Sequence, residues 1–386
     1  MYKKNVLIII LLFANLICSQ NNKFSGIIKD AETLQPIEYV NITFKNNTEN
    51  STGSISNDFG EFVINTNDSE VTFSHINYET LIINLKKTNN EILLKPKTYI
   101  IDEIIISNTS PKDYLMDIIK SSKNKIDKNT LFKSYCREIV QFDNTITNYS
   151  DALVNYYIKK GNGKSKITLN QHRALKNNKI LGDLDGLPSF FLLKNYVKEA
   201  YDFSELKTIL RDKEYQITRK IRKEFNGKEY ECIEIIPNTD SDQLLKKGYV
   251  IIDIKSKNIL ECKIYTSENH LKNSKLMNIL IAKIKINSEL FWSKFKIIND
   301  QHVLIYNKKQ FGMRLKFRKK IDNDFKFTSD LFVYEFKNDV KLPSHGYNKS
   351  TIYEAGTEYT EPFWENFNAF PLSKDEIKFV DSFKTK

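Results

Sequence analysis

The sequence predicts a mainly β protein with an α+β second domain: a seven-stranded N-terminal β-sandwich, then a larger antiparallel-sheet domain with a few helices. Three observations carry this. Between Phe24 and Ser107, short runs of alternating apolar and polar residues recur between segments rich in Asn, Asp, Gly and Pro. Longer alternating runs follow from Phe132, one pair of them flanking Asn226-Gly227, the dipeptide that tight hairpins favour. Helical spacing is confined to a few short stretches, such as Leu115, Ile118, Ile119, Ser122 and Ile126. The 386 residues are 40% hydrophobic with only 12 Gly and 8 Pro, which excludes a disordered or collagen-like chain.

Residues 1–19 read as a signal peptide. Cationic Met1-Tyr-Lys-Lys4 precedes an apolar run from Val6 to Leu16, long enough for a secretory leader and too short to span a bilayer. Cleavage is expected between Ser19 and Gln20. Cys18 raises a lipoprotein alternative, which bulky Ile17 disfavours. No later stretch has the length of a membrane-spanning helix, so the mature chain is expected to lack one. The expected location is the periplasm or the outer membrane rather than the medium.

Residues 22–107 form the predicted sandwich, with strands at Phe24–Lys29, Glu38–Phe44, Gly60–Ile64, Glu70–His75, Glu79–Leu85, Glu91–Lys95 and Ile100–Ser107. Asn57-Asp58 reads as a turn pair bonding its own backbone, since a calcium loop needs more carboxylates. The stretches SGIIKDAETLQPIEYVNI (Ser25–Ile42), GSISNDFGEFVI (Gly53–Ile64), FSHINYETLIINL (Phe73–Leu85) and IDEIIIS (Ile101–Ser107) resemble the carboxypeptidase-regulatory-like domain, a transthyretin-like sandwich. That resemblance implies a non-catalytic appendage, of the kind that precedes TonB-dependent outer-membrane receptors and other Bacteroidota-type envelope proteins.

Residues 108–386 read as one α+β domain, an antiparallel meander closed by a C-terminal strap. Ser110-Pro111-Lys-Asp113 opens a helix with an N-cap, a Pro at the first position and an acid at the third. Strands are expected at Phe132–Phe142, Ile146–Lys159 and from Lys166, then a helical stretch from Pro188 to Tyr201. Further strands follow at Glu214–Phe225, Lys228–Ile236, Tyr249–Ile254, Ile259–Ser267, Met277–Ile286, Phe291–Ile298, Val303–Asn307, Met313–Arg318 and Phe325–Phe336. Gly161 and Gly163 suit a hairpin turn rather than a phosphate loop. The acidic loop Gly182–Gly186 reads as solvated, with a divalent cation as the alternative. Tyr359, Phe363, Trp364 and Phe367, interleaved with glutamates, read as a tail strapped over the sheet, the alternative being a sugar- or peptide-binding patch. Ser373 and Glu376 form a capping box. The meander is similar in pattern to the curved half-barrel of lipoprotein-carrier-like proteins, and the ending resembles the distal part of an uncharacterised, envelope-located family.

The chain is basic, with 59 Lys and Arg against 48 Asp and Glu, but the charge is dispersed and no basic stripe carries stacking aromatics. Nucleic acid is therefore not an expected partner. Cys136, Cys232 and Cys262 are expected to be buried free thiols, since they lie far apart in strand-like runs. The sequence has no GxSxG, HExxH, Walker or GxGxxG motif. His75, His172, His270, His302 and His345 are scattered, His345 in its loop being the least unsuitable for catalysis. The reading is an exported, non-catalytic envelope protein with no cofactor and with an outer-membrane or other envelope partner. The alternatives are a hydrolase whose site is assembled from distant residues, or an accessory subunit of a TonB-dependent transporter.

Overall fold

Apolar residues at every second position, with β-branched and aromatic side chains, build most of the chain into strands. The computed structural model describes residues 22–44, 53–68, 70–85, 90–97, 99–105, 108–122, 126–159, 161, 163–177, 191–224, 229–279, 282–317, 321–358, 363–364, 367 and 371–384. The expected signal peptide and its Ser19/Gln20 cleavage site, the Gly182–Gly186 loop and the Asn226-Gly227 turn lie outside them. The chain divides into two compact units. The first draws on Met1–Asn47, Gly53–Pro96 and Trp364–Pro371, the second on Thr48–Thr52, Lys97–Phe363 and Leu372–Lys386.

The first unit holds strands β1 (Asn22–Asp30), β2 (Asn41–Phe44), β3 (Ser54–Ile55), β4 (Glu61–Thr66), β5 (Glu70–His75), β6 (Tyr78–Asn84) and β7 (Asn90–Leu94). They form two sheets, β4-β1-β7 and β3-β2-β5-β6, with β1 and β7 parallel and every other pair antiparallel. Phe24, Ile28, Phe62, Ile64, Ile92 and Leu94 of the first sheet share one core with Ile42, Val71 and Phe73 of the second. Phe62 and Phe73 meet edge to face at 5.4 Å between the sheets. Asn57 is the turn residue expected, its Oδ1 accepting the Phe59 and Glu61 N–H groups at 2.9 Å.

The second unit is built on one long sheet. Its elements are β8 (Tyr99–Ile104), α1 (Pro111–Ser122), β9 (Leu131–Phe142), β10 (Thr145–Ile158), β11 (Ser165–Lys176), α2 (Tyr196–Asp202), α3 (Ser204–Arg211), β12 (Tyr215–Glu224), β13 (Glu229–Pro237), β14 (Lys246–Asp253), β15 (Asn258–Thr266), β16 (Met277–Ile279), β17 (Ala282–Ile298), β18 (Gln301–Phe317), β19 (Ile321–Lys337) and α4 (Lys374–Asp381). The strand order is β11-β10-β9-β19-β18-β17-β15-β14-β13-β12-β8, antiparallel throughout, with β16 on the free stretch of β17. The seam between β9 and β19 joins the first hairpin of the unit to its last strand. Ser110 caps α1 through the Asp113 N–H at 3.1 Å, and Leu115, Ile118 and Ile119 are buried, as their spacing predicts.

Three expectations are corrected. The strand expected at Ile100–Ser107 is β8, and it pairs with β12 in the large sheet instead of completing the sandwich. The sandwich keeps seven strands because Ser54–Ile55 adds a short one. Alternation marks a strand but not its partner, and β12 offered an open edge. The run Met277–Ile286 is not one strand: β16 turns back on β17, pairing Met277 with Ile284 and Ile279 with Ala282. Conversely, the runs expected as separate strands at Val303–Asn307 and Met313–Arg318 are continuous in the 17-residue β18. Gly312, between them, sits opposite Ser288 beside a bulge in β17 and does not end the strand.

Gly26 lies in the middle of β1, where a Cβ would collide with the Asn90 carbonyl of β7 and the Phe62 ring of β4. Gly26→Val is therefore expected to destabilise the sandwich by about 1–3 kcal/mol. Urea unfolding monitored on the sandwich checks this, and an unchanged midpoint contradicts it.

Candidate functional site

Residues in register on neighbouring strands point to the same face of a sheet, so one row can be followed from strand to strand. Starting at β11, the row reads Arg173, Asp151, Arg137, Asp330, Lys308, Trp292, Lys263, Tyr249 and Glu234. The first five alternate in charge across five strands and are all buried. Charge of this density is affordable inside a protein only when each ion is paired and hydrogen-bonded.

The pairing is dense. Arg173 grips Asp151 with two bonds, Nε to Oδ1 at 2.8 Å and Nη2 to Oδ2 at 2.5 Å. Tyr135 and Tyr149 also donate to Asp151 Oδ2, at 3.0 and 2.8 Å. Arg137 donates Nη2 to Asp330 Oδ2 at 3.0 Å and Nη1 to Glu376 Oε2 at 2.9 Å. Tyr306 donates to Asp330 Oδ1 at 2.5 Å, and Lys308 Nζ lies 3.7 Å from the same oxygen. Burial pushes the Asp330 carboxyl up, but Lys308, Arg137 and Tyr306 outweigh it and hold the group below its ordinary value. Burial likewise disfavours the Arg137 cation, and Glu376 and Asp330 overcome it.

Glu376 is the N3 residue of the capping box foreseen in the sequence. Its Oε2 accepts the Ser373 N–H at 2.6 Å while the Ser373 hydroxyl accepts the Glu376 N–H. One carboxylate thus starts α4 and fastens that helix to the sheet. Val380 and Phe379 of the same helix pack on Ile139, Ile146, Tyr149 and Leu175.

Towards β14 the row turns aromatic: Trp292 is buried, and Lys263, Tyr249 and Glu234 beyond it are half-buried. Trp292 Nε1 and the Tyr249 hydroxyl both donate to Glu261 Oε1, at 2.8 and 2.7 Å. Lys263 and Lys294 stand over the Trp292 ring at 3.6 and 4.6 Å. With Trp292, Glu261 and Lys294 all buried, these contacts satisfy one another inside the unit.

The opposite face carries α2 and the C-terminal tail. Glu138, next to Arg137 in β9, points there and is shared by two distant segments. Its Oε1 accepts from the Tyr196 hydroxyl of α2 at 2.7 Å, and its Oε2 accepts the Ile352 N–H of the C-terminal tail at 2.9 Å. Burial raises this carboxyl to about 7 in spite of those two donors. The tail continues past Glu138 to pair with β11, with mutual backbone bonds between His172 and Glu358 at 2.9 and 2.8 Å. Of the aromatics expected in the strap, Tyr359 lies outside the described residues, and Phe363, Trp364 and Phe367 are half-buried.

The sequence offered no catalytic, metal or cofactor residue, and four of the five histidines it weighed make structural contacts. A ring nitrogen of His172 lies 2.9 Å from the Gly356 carbonyl, one of His270 2.9 Å from the Asn238 carbonyl, and one of His302 2.6 Å from the Ile259 carbonyl. His75 accepts the Asn77 N–H and stacks edge-on with Tyr78. His345 is exposed, in a loop whose Pro343 and Ser344 carbonyls accept from Lys166 Nζ at 2.8 and 2.6 Å. Cys136, Cys232 and Cys262 are buried free thiols, as expected. Burial pushes Cys136 and Cys262 well above the ordinary thiol value, which keeps them unreactive. Among the described residues no cluster of three His, Cys, Asp or Glu has the form of a metal site. The ladder itself escaped the sequence because Arg137 lies 193 positions from Asp330 and 239 from Glu376.

Two outcomes follow from this geometry. Arg137→Met strands Glu376 beside an unneutralised site and is expected to destabilise the large unit by about 3–5 kcal/mol, read by denaturant unfolding. The Glu138 carboxyl titrates higher in the fold than its ordinary 4.5, so its contribution is full below that value and is lost as pH rises through about 7. Glu138→Gln is expected to remove that decline in stability between pH 5 and pH 8; an unchanged slope contradicts the assignment.

No curated protein matches the chain. Among solved structures, a DUF1329 family protein from Desulfovibrio piger is similar at 10% identity and a TM-score of 0.29, covering 61% of this chain and 96% of that one. Lipovitellin, in a structure concerned with its lipid–protein interactions, is similar at 6% identity and a TM-score of 0.25, covering 62% of this chain and 28% of that one. Likenesses this slight carry no argument. The family comparison covers the sandwich strands and runs on through β8: residues 24–106 match the CarboxypepD_reg-like domain.

Proposed function

We propose that the protein is an exported cell-envelope protein with a binding role rather than a catalytic one, whose sandwich docks on an outer-membrane or other envelope partner. The observation that carries this is the end of the sandwich where β1 finishes. Leu34 and Phe59 lie in the two turns there and are 58% and 55% exposed, and Leu93, paired with Lys29 near the end of β1, is 45% exposed. Leu34 also holds a left-handed backbone, φ 58°, which Asn or Gly adopts more cheaply. An apolar side chain kept at a strained, wet position suits a contact surface. The leader-like residues 1–19 support export, and the domain match at residues 24–106 supports an appended module.

A tagged copy crosslinked in cells, followed by mass spectrometry, is expected to capture one outer-membrane protein reproducibly. Leu34→Asn with Phe59→Ser is expected to cut that capture about tenfold while leaving the fold intact. Capture of bulk envelope proteins alone, or capture indifferent to the two substitutions, contradicts the reading. A TonB-dependent barrel as the captured protein favours the accessory-subunit version.

One observation favours the hydrolase alternative. The Asn238 carbonyl only accepts, so His270 donates to it from Nε2, which leaves Nδ1 to accept from the Ser267 hydroxyl at 2.9 Å. The 3-10 turn that carries His270, Glu268–Asn273, ends at a cavity of about 410 Å³ lined by Asp242, Leu244, Asn273 and Glu289. Both Ser267 and His270 are buried, and the orienting group is a carbonyl rather than a carboxylate. The binding reading predicts no labelling of Ser267 by a fluorophosphonate probe. Labelling lost in Ser267→Ala overturns it in favour of the enzyme.

A further inference from the structure

The strand β16 breaks the usual rule for a sheet edge. All three of its residues are exposed, and with the residue before it they place Leu276, Met277 and Ile279 in water at 44%, 43% and 48% exposure. Edge strands are normally blunted with charge or proline on the strand itself. Met277 and Ile279 pair with Ile284 and Ala282, so they share a face with the buried cluster Ile284, Met313, Leu315, Ile321 and Phe325. The apolar face therefore runs out of the core and past the edge of the sheet.

Along the chain the charge around it is one-sided, while Asp242 and Glu289 line the cavity that Lys275 and Met277 border. From Asn269 to Ser288 the sequence contains Lys272, Lys275, Lys283 and Lys285 and no carboxylate. All four lysines are exposed, and none forms an ion pair among the described residues. Elsewhere at this end the cations are engaged, Arg314 and Lys316 with Asp322 and Arg314 with Asp324. The link between β16 and β17, Leu280-Ile281, lies outside the described residues and is not counted in the patch.

We propose that this edge is a membrane-contact site: Met277, Ile279 and Leu276 enter the interface of an anionic lipid bilayer while the four lysines meet its phosphate groups. Exposed apolar side chains with long-stemmed ammonium groups beside them, here Lys283 and Lys285 on the other face of the same hairpin, are the arrangement that binds such surfaces, each element too weak alone. A peptide adding to the free edge of β16 needs only backbone bonds and pockets, and it leaves the unpaired lysines without a role. The lipid surface accounts for both features.

The test is sedimentation of the chain beginning at Gln20 with vesicles of phosphatidylcholine alone or mixed with phosphatidylglycerol. Binding is expected to the mixed vesicles, at least about tenfold weaker to the neutral ones, and falling with added salt. Met277→Ser with Ile279→Ser, and separately Lys275→Glu with Lys283→Glu, are each expected to reduce binding about tenfold. Their positions are exposed, and circular dichroism verifies that both variants fold. No binding to mixed vesicles overturns the proposal. So does equal binding by either variant, or salt-independent binding to both vesicle types.

Discussion

Arg137 sits where three stretches of chain meet, and its guanidinium must be neutralised there because it is out of reach of water. Asp330 reaches it from β19 and Glu376 from α4, 193 and 239 positions away in sequence. A one-residue slip between β9 and β19 would turn Arg137 to the other face and leave all three charges uncompensated in the interior. The seam that attaches the first hairpin of the large unit to its last strand is therefore fixed by electrostatics as well as by packing. Apolar pairs alone tolerate exchange far better than a paired ion does.

The consequences spread along the row. Asp330 also takes the Tyr306 hydroxyl, and Asp151 takes Arg173 and two tyrosines, so the ladder saturates its own bonding capacity across five strands. The same strand serves the opposite face through Glu138, which holds α2 and the C-terminal tail. Arg137 and Glu138 are neighbours in sequence and back to back in the sheet. One fastens α4 on one side, and the other fastens α2 and the tail on the other.

Much of the architecture was legible in the sequence because it is local. The α1 cap at Ser110, the Asn57 turn, the Ser373/Glu376 box and most of the strand positions follow from spacing and turn chemistry. Partner choice was not legible. β8 has the alternation of a sandwich strand, and nothing in Tyr99–Ile104 declares that it pairs with β12. The turn between β16 and β17 was hidden because it lacks the Asn and Gly that announce hairpins. The ladder was hidden for another reason: β9 is buried on both faces, so its charged residues do not stand out against an apolar alternation. Glu376 was read as a cap, and its second bond, to Arg137, depends on a fold that no local pattern encodes.

The central claim is that Glu376 and Arg137 hold α4 to the sheet. Hydrogen exchange of the α4 amides in Glu376→Gln tests it most directly, since the amide keeps the size of the side chain and removes its charge. Protection across Lys374–Asp381 is predicted to fall by roughly tenfold or more while β9 and β10 keep theirs. Unchanged protection of α4 would contradict the account and assign the attachment to Val380 and its apolar neighbours alone.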